Sequence, residues 1–133
     1  MKSFLLSSLL LVSLVFSCGN DDDGAEPSMD LTTQIVGTYQ GSINVEGDPG
    51  ILGIPTPATI TRVSNTEISV LTVTTSSIFD EMRFNATMTS ATAFTASNIM
   101  WEDATFSATG TLSGDDLTIT FTGSVTGDYE GSK

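Results

Sequence analysis

The stretch ATFSATGTLSGDDLTITFTG, residues 104–123, decides the fold. Ala104, Phe106, Ala108, Gly110 and Leu112 alternate with Thr105, Ser107, Thr109 and Thr111. After Ser113-Gly114-Asp115-Asp116 the pattern resumes, with Leu117, Ile119 and Phe121 set against Thr118, Thr120 and Thr122. Successive side chains of a strand point to opposite faces, so each run has one apolar and one hydroxyl-bearing face. The Ser-Gly-Asp-Asp cluster between them is turn chemistry, and the whole reads as an antiparallel hairpin.

Working outward, the same period recurs on both sides. Ile35, Gly37, Tyr39, Gly41, Ile43 and Val45 alternate with Thr38, Gln40, Ser42 and Asn44; Met82, Phe84, Ala86 and Met88 alternate with Arg83, Asn85, Thr87 and Thr89. Shorter runs occupy residues 58–63, 67–73 and 91–97, with turn signals at Ser64-Asn65 and Gly127-Asp128. No segment after residue 30 carries a helical period, and Thr, Val, Ile and Phe are strand formers. The reading is all-β, with seven or eight antiparallel strands. An up-and-down barrel of about eight strands is expected, with a β-sandwich as the alternative. The choice rests on an echo: GTYQGSI near the start of the domain returns as GDYEGSK at its end. First and last strands of similar sequence suit side-by-side pairing, and a sheet closed on itself has no exposed edge.

The N-terminal end is of another kind. Met1-Lys2 make a basic start, and the apolar run from Phe4 to Phe16 is shorter than the roughly 20 residues a membrane span requires, so it reads as a secretory signal. Cys18 is the only cysteine of the 133 residues and cannot form an internal disulfide. Leu14-Val15-Phe16-Ser17-Cys18 resembles the lipobox of bacterial lipoproteins. That resemblance implies cleavage before Cys18, a diacylglyceryl group on its sulfur, and acylation such as palmitate on the new amino terminus. Several acyl chains together anchor a protein stably, because each buried methylene contributes about 0.8 kcal/mol.

The resulting division is a signal peptide at 1–17, a lipidated cysteine with an acidic tether at 18–30, and the β-domain at 31–133. The tether GNDDDGAEPSMD cannot support a core. Asp21, Asp22 and Asp23 read as a self-repelling spacer. They are also similar to the acidic surface-export signal of Bacteroidota lipoproteins, which implies an outer-membrane location facing the exterior. Calcium at the triplet lacks the shaped loop of six to eight oxygens it needs. From Cys18 onward Arg62, Arg83 and Lys133 are the only cations against sixteen Asp and Glu. Nucleic acid is therefore excluded as a partner, and the membrane contact is expected through covalent lipid alone.

Gly37-x-Tyr39-x-Gly41, the TRVSNTEISV hairpin, the 104–123 stretch and the closing Tyr-x-Gly together resemble the calycin-like, lipocalin-like β-barrel domains of exported Bacteroidota proteins. Tyr39 stands where true lipocalins carry Trp. The resemblance implies an up-and-down barrel and little about activity. A barrel of this size is filled by side chains or holds one small ligand. The inward candidates are Tyr39, Ile43, Ile60, Ile68, Val70, Met82, Phe84, Met88, Phe106, Leu112, Ile119 and Phe121. A packed core is the default for such a set. Should a cavity exist, it would be apolar, with Tyr39, Phe84, Phe106 and Phe121 on its wall.

The loop EGDPGILGIPTP, residues 46–57, holds three of the chain's four prolines and reads either as a lid or partner patch, or as a plug folded into the barrel end. Trp101 reads as a buried residue or as an exposed stacking platform. The chain has no histidine, which removes the usual triads and the commonest metal ligand. The carboxylate pairs Asp80-Glu81, Glu102-Asp103 and Asp115-Asp116 are adjacent in sequence, and neighbours on a strand face opposite ways. No catalytic residue, cofactor or metal is expected. The expectation is a non-enzymatic, lipid-anchored envelope protein that binds through its loops, with an envelope protein or a small apolar ligand as partner. The alternative is a carrier of a hydrophobic molecule in the barrel interior.

Overall fold

The computed structural model describes residues 29–47, 51–74 and 81–133, so Cys18, Asp21, Asp22 and Asp23 lie outside the described residues. In chain order the strands are β1 (Gly37–Val45), β2 (Ile54–Pro55), β3 (Ala58–Arg62), β4 (Glu67–Thr72), β5 (Met82–Ser90), β6 (Ala93–Trp101), β7 (Ala104–Ser113), β8 (Asp116–Gly123) and β9 (Gly127–Ser132). Every pairing is antiparallel, β1 pairs with β2 and β3, consecutive strands from β3 to β9 pair with one another, and β9 returns to pair with β1. β2 and β3 keep a single register along β1, from Ile43↔Ile54 to Gly37↔Ile60, and are two pieces of one arm interrupted at Thr56-Pro57. Proline has no N–H to give to a ladder, while the Thr56 amide still donates to the Gly41 carbonyl at 2.8 Å. The result is a closed eight-stranded barrel with one short extra strand.

The echo noted in the sequence is the seam of this barrel. Gln40 lies opposite Ser132, Gly41 opposite Gly131, and Ile43 opposite Tyr129. Gly41 and Gly131 serve close approach. A Cβ on Gly41 would run into the backbone of Glu130 and Gly131, and one on Gly131 would run into the Tyr129 ring.

Alternation sets the burial. β5 buries Met82, Phe84, Ala86 and Met88 and exposes the residues between them; β7 and β8 bury Phe106, Ala108, Gly110, Leu112, Leu117, Ile119 and Phe121, with the hydroxyl residues between them exposed or half-buried. All twelve inward candidates are buried. Phe94 joins them at 1% exposure, its ring lying across Gly110 of the facing strand where any Cβ would stand inside it.

One irregularity matters for the surface. Between Ala96↔Ala108 and Ile99↔Phe106 the register of β6 against β7 shifts, leaving Ser97 and Asn98 together opposite Ser107. Asn98 takes φ 54°, a left-handed conformation that asparagine tolerates better than most residues. The bulge inverts the parity of the strand, as an extra residue must. Phe94 and Ala96 face inward before it, Ile99 and Trp101 after it, and Met100 is turned out to 77% exposure.

Candidate functional site

The two ends of the barrel differ. At one end lie the β3–β4, β5–β6 and β7–β8 turns, together with the segment that leads into β1. Here residues 30–36 form a strap across the opening. Asp30 Oδ1 accepts hydrogen bonds from the Thr32 amide at 2.9 Å and the Thr32 hydroxyl at 2.6 Å, while its Oδ2 meets Arg62 Nε at 3.0 Å. These two Thr32 bonds, helped by Arg62, hold the Asp30 carboxyl below its usual range. Asp30, expected as the last tether residue, is thus already tied to the barrel. The Leu31 amide donates to the Asn65 carbonyl, Lys133 Nζ donates to the Gln34 carbonyl at 2.7 Å, and Thr32 and Ile35 are fully buried.

Tyr39 was the one polar group expected inside, and it belongs to this closure. Its hydroxyl donates to the Ile35 carbonyl at 2.7 Å, and the Tyr129 hydroxyl donates to the Tyr39 carbonyl at 3.3 Å. Burial raises the pKa of both phenols to about 12, because a phenolate would lose its water there. Both tyrosines act as hydrogen-bonded cross-braces.

The interior is packed. Phe106 and Phe121 meet edge to face, with ring centroids 5.7 Å apart. Beside them, among the described residues, a space of about 10 Å³ remains, bordered also by Ile43, Met82 and Trp101. That is room for roughly one water molecule. Of the four residues named for a ligand wall, Phe106 and Phe121 border this space, while Tyr39 and Phe84 are buried elsewhere in the core.

The opposite end carries the connections β1–β2, β4–β5, β6–β7 and β8–β9. The proline-rich loop divides its apolar residues: Ile51 is buried, Ile54 packs against the core, and Leu52 is 63% exposed. Asn44 pins it, accepting from the Gly53 amide at 2.6 Å through Oδ1 and donating to Asp128 Oδ2 at 3.0 Å through Nδ2. Next to it, Trp101, Glu102, Asp103, Ala104, Ser124 and Val125 line an open depression of about 380 Å³. Trp101 is half-buried, packing against the core while it borders the opening, so both readings of it hold in part.

Glu102 sits in the two-residue β6–β7 turn at φ 52°, where glycine is the residue without strain. The candidate site is therefore an aromatic floor with two carboxylates at its edge. The carboxylate pairs do not converge: Asp115 in the β7–β8 turn and Asp116 at the start of β8 lie at the strap end, Glu102-Asp103 at the opposite end, and Asp80 lies outside the described residues. Among the described residues no three acidic side chains come together as metal ligands. What sequence reasoning missed was the orientation of Trp101, which depends on the bulge at Ser97-Asn98. The small polar pair before an apolar run was its one available signal.

Searched against known protein families, curated proteins and solved structures, the chain matches none. The barrel's geometry is consistent with the calycin-like expectation at the level of fold, and fold alone does not assign function.

Proposed function

We propose that this chain is a lipid-anchored, non-enzymatic envelope protein of calycin-like type, held to the outer membrane through Cys18 and binding a partner protein with its loop end. The observation that carries the reading is directional. The chain enters the barrel at the strap end, so a tether running back to Cys18 leaves the Trp101 depression and the exposed Leu52 and Met100 on the far side, away from the bilayer. With Asp30 held by Arg62, the 11 residues from Gly19 to Met29 span about 37 Å fully extended and about 18 Å as a coil. The acidic body is repelled by anionic head groups, which favours the same outward presentation. The Asp21-Asp22-Asp23 run supports surface display by its resemblance to export signals.

Carriage of a small hydrophobic molecule is the second reading of the same barrel. The 10 Å³ interior space weighs against it, since a ligand would have to displace core side chains.

The test uses the full chain expressed in a Bacteroidota host with a photo-crosslinking residue at Leu52 or, in a separate variant, at Val63 near the strap end. Lipid labelling that disappears in Cys18→Ala and a crosslinked protein captured from Leu52 alone are expected. Labelling that persists in Cys18→Ala, or capture equally from Val63, refutes the reading.

A further inference from the structure

The outer face of β5, β6, β7 and β8 carries a second feature, separate from the loop end. Registered pairing aligns Thr87 with Thr95, Thr95 with Thr109, and Thr109 with Thr120 in one row across four strands. Beside this row stand Asn85, Ser97 and Ser107, the last paired with Thr122. Neighbouring strands are about 4.8 Å apart, and same-face residues on one strand about 6.8 Å apart, so the hydroxyls form a two-dimensional grid. At the bulge this grid sinks into a groove of about 440 Å³, lined by Asn85, Thr87, Thr95, Ser97, Ser107 and Thr109 with the backbone of Ala96 and Ala108 beneath. Bulges re-aim side chains and recur beside functional sites, and this one carries Asn98 in its left-handed conformation.

Three properties of the groove define what fits it. Its volume lies within the usual range for ligand sites, roughly 300 to 1,000 Å³. No charged side chain lines it, although the chain has sixteen Asp and Glu; the comparable groove on β1, β8 and β9, about 420 Å³, is lined by Asp116 and Glu130. Among the described residues its hydroxyl and amide side chains engage in no hydrogen bond within the protein. Each hydroxyl can donate and accept at once, as can the Asn85 amide through its two ends. That is the complement of a ligand rich in hydroxyls and free of charge.

We infer that this groove binds a neutral oligosaccharide chain laid across the strands. A cationic ligand finds no carboxylate in the groove lining, the nearest in the row being Glu67 opposite Thr87 and Asp128 opposite Thr120 at its two ends, and an anionic polymer is repelled by these and by the rest of the molecule. Each sugar contact replaces one with water, so binding depends on several contacts made together along an extended chain. The strands hold the grid rigid, which keeps the ordering cost on the ligand side.

The test measures binding of the full chain, in detergent micelles, to maltohexaose, cellohexaose and mannohexaose by biolayer interferometry, with the matching monosaccharides and polygalacturonate as comparators. At least one neutral hexasaccharide is expected to bind, its monosaccharide at least tenfold more weakly and polygalacturonate not at all. The variant Thr87→Val, Thr95→Val, Thr109→Val keeps shape and strand preference while removing three hydroxyls, and should lose at least tenfold in affinity at an unchanged melting temperature. Thr109→Arg, which fills the groove from an exposed position, should abolish binding. Asp116→Asn with Glu130→Gln in the other groove, and Leu52→Ala at the loop end, should change nothing. Absence of binding to every neutral hexasaccharide, full binding by the triple valine or Thr109→Arg variant, or stronger binding to polygalacturonate overturns the inference. None of these outcomes depends on the partner reading, which is tested at Leu52.

Discussion

Phe94 and Gly110 form a cross-strand pair whose two members explain each other, and a double-mutant cycle measures how far. Phe94 is 1% exposed and its ring occupies the place where a Gly110 side chain would begin. Phe94→Ala empties a buried aromatic site and should cost about 4 kcal/mol, within the usual range for such truncations. Gly110 lies outside the positive-φ glycines, so alanine there meets no backbone strain. Its methyl collides with the ring, however, and overpacking of this kind costs about 2 kcal/mol. In the Phe94→Ala background the collision is gone. Gly110→Ala should then stabilise by about 0.5 kcal/mol, because glycine in a strand loses more chain freedom than alanine. The double variant is expected to cost about 3.5 kcal/mol where simple addition gives about 6, a coupling of about 2.5 kcal/mol between residues in contact. Urea unfolding followed by tryptophan fluorescence, with Trp101 as reporter, reads all four corners. Additivity within about 0.5 kcal/mol would refute the claim that the ring dictates the glycine.

Two further outcomes follow from the turns and the braces. Glu102→Gly relieves a left-handed non-glycine residue worth about 1 to 2 kcal/mol, offset by about 0.5 to 1 kcal/mol of added freedom in the unfolded chain, so a net gain of about 0.5 to 1 kcal/mol is expected in thermal unfolding. Tyr39 and Tyr129 have folded pKa values of about 12 against 10 for an unburied phenol, so their contribution is complete below pH 10 and is lost as pH rises toward 12. Tyr39→Phe leaves the buried Ile35 carbonyl without its donor, should cost about 1 to 2 kcal/mol at neutral pH, and should flatten the alkaline limb of the stability profile, read by circular dichroism from pH 8 to 12.5.

How much was legible depends on whether a residue's environment is set by local period or by distant pairing. The 104–123 hairpin was legible because each apolar residue is two from the next and none is displaced. The seam was legible because the Gly-x-Tyr-x-Gly string occurs twice and the strands that carry the two copies pair, Gly41 opposite Gly131. Trp101 was not, since two residues opposite one at Ser97-Asn98 invert every side chain beyond them, and nothing in the apolar pattern marks which residue is extra. The strap was hidden for another reason. Its hold on the barrel comes from Asp30 reaching Arg62 and from Lys133 reaching Gln34, contacts between polar residues far apart in the chain that carry no periodicity. The proline-rich segment read as irregular, yet Ile54-Pro55 pairs with β1, because a proline is tolerated where its ring faces away from the ladder.

The seam between β1 and β9 also fixes an order of events. Every other pairing in the ring joins neighbours in sequence and can form as the chain emerges, whereas Tyr39 and Tyr129 are brought together across 90 residues. Until those 90 residues have been delivered and ordered, β1 keeps an open edge available to any other extended strand. Loop closure over that span makes this pairing the slow one. The last six residues of the barrel therefore work as a latch: until Gly127–Ser132 has arrived the molecule is a curled open sheet, and the latch is where a nascent or unfolding chain is most exposed to pairing with another copy of itself.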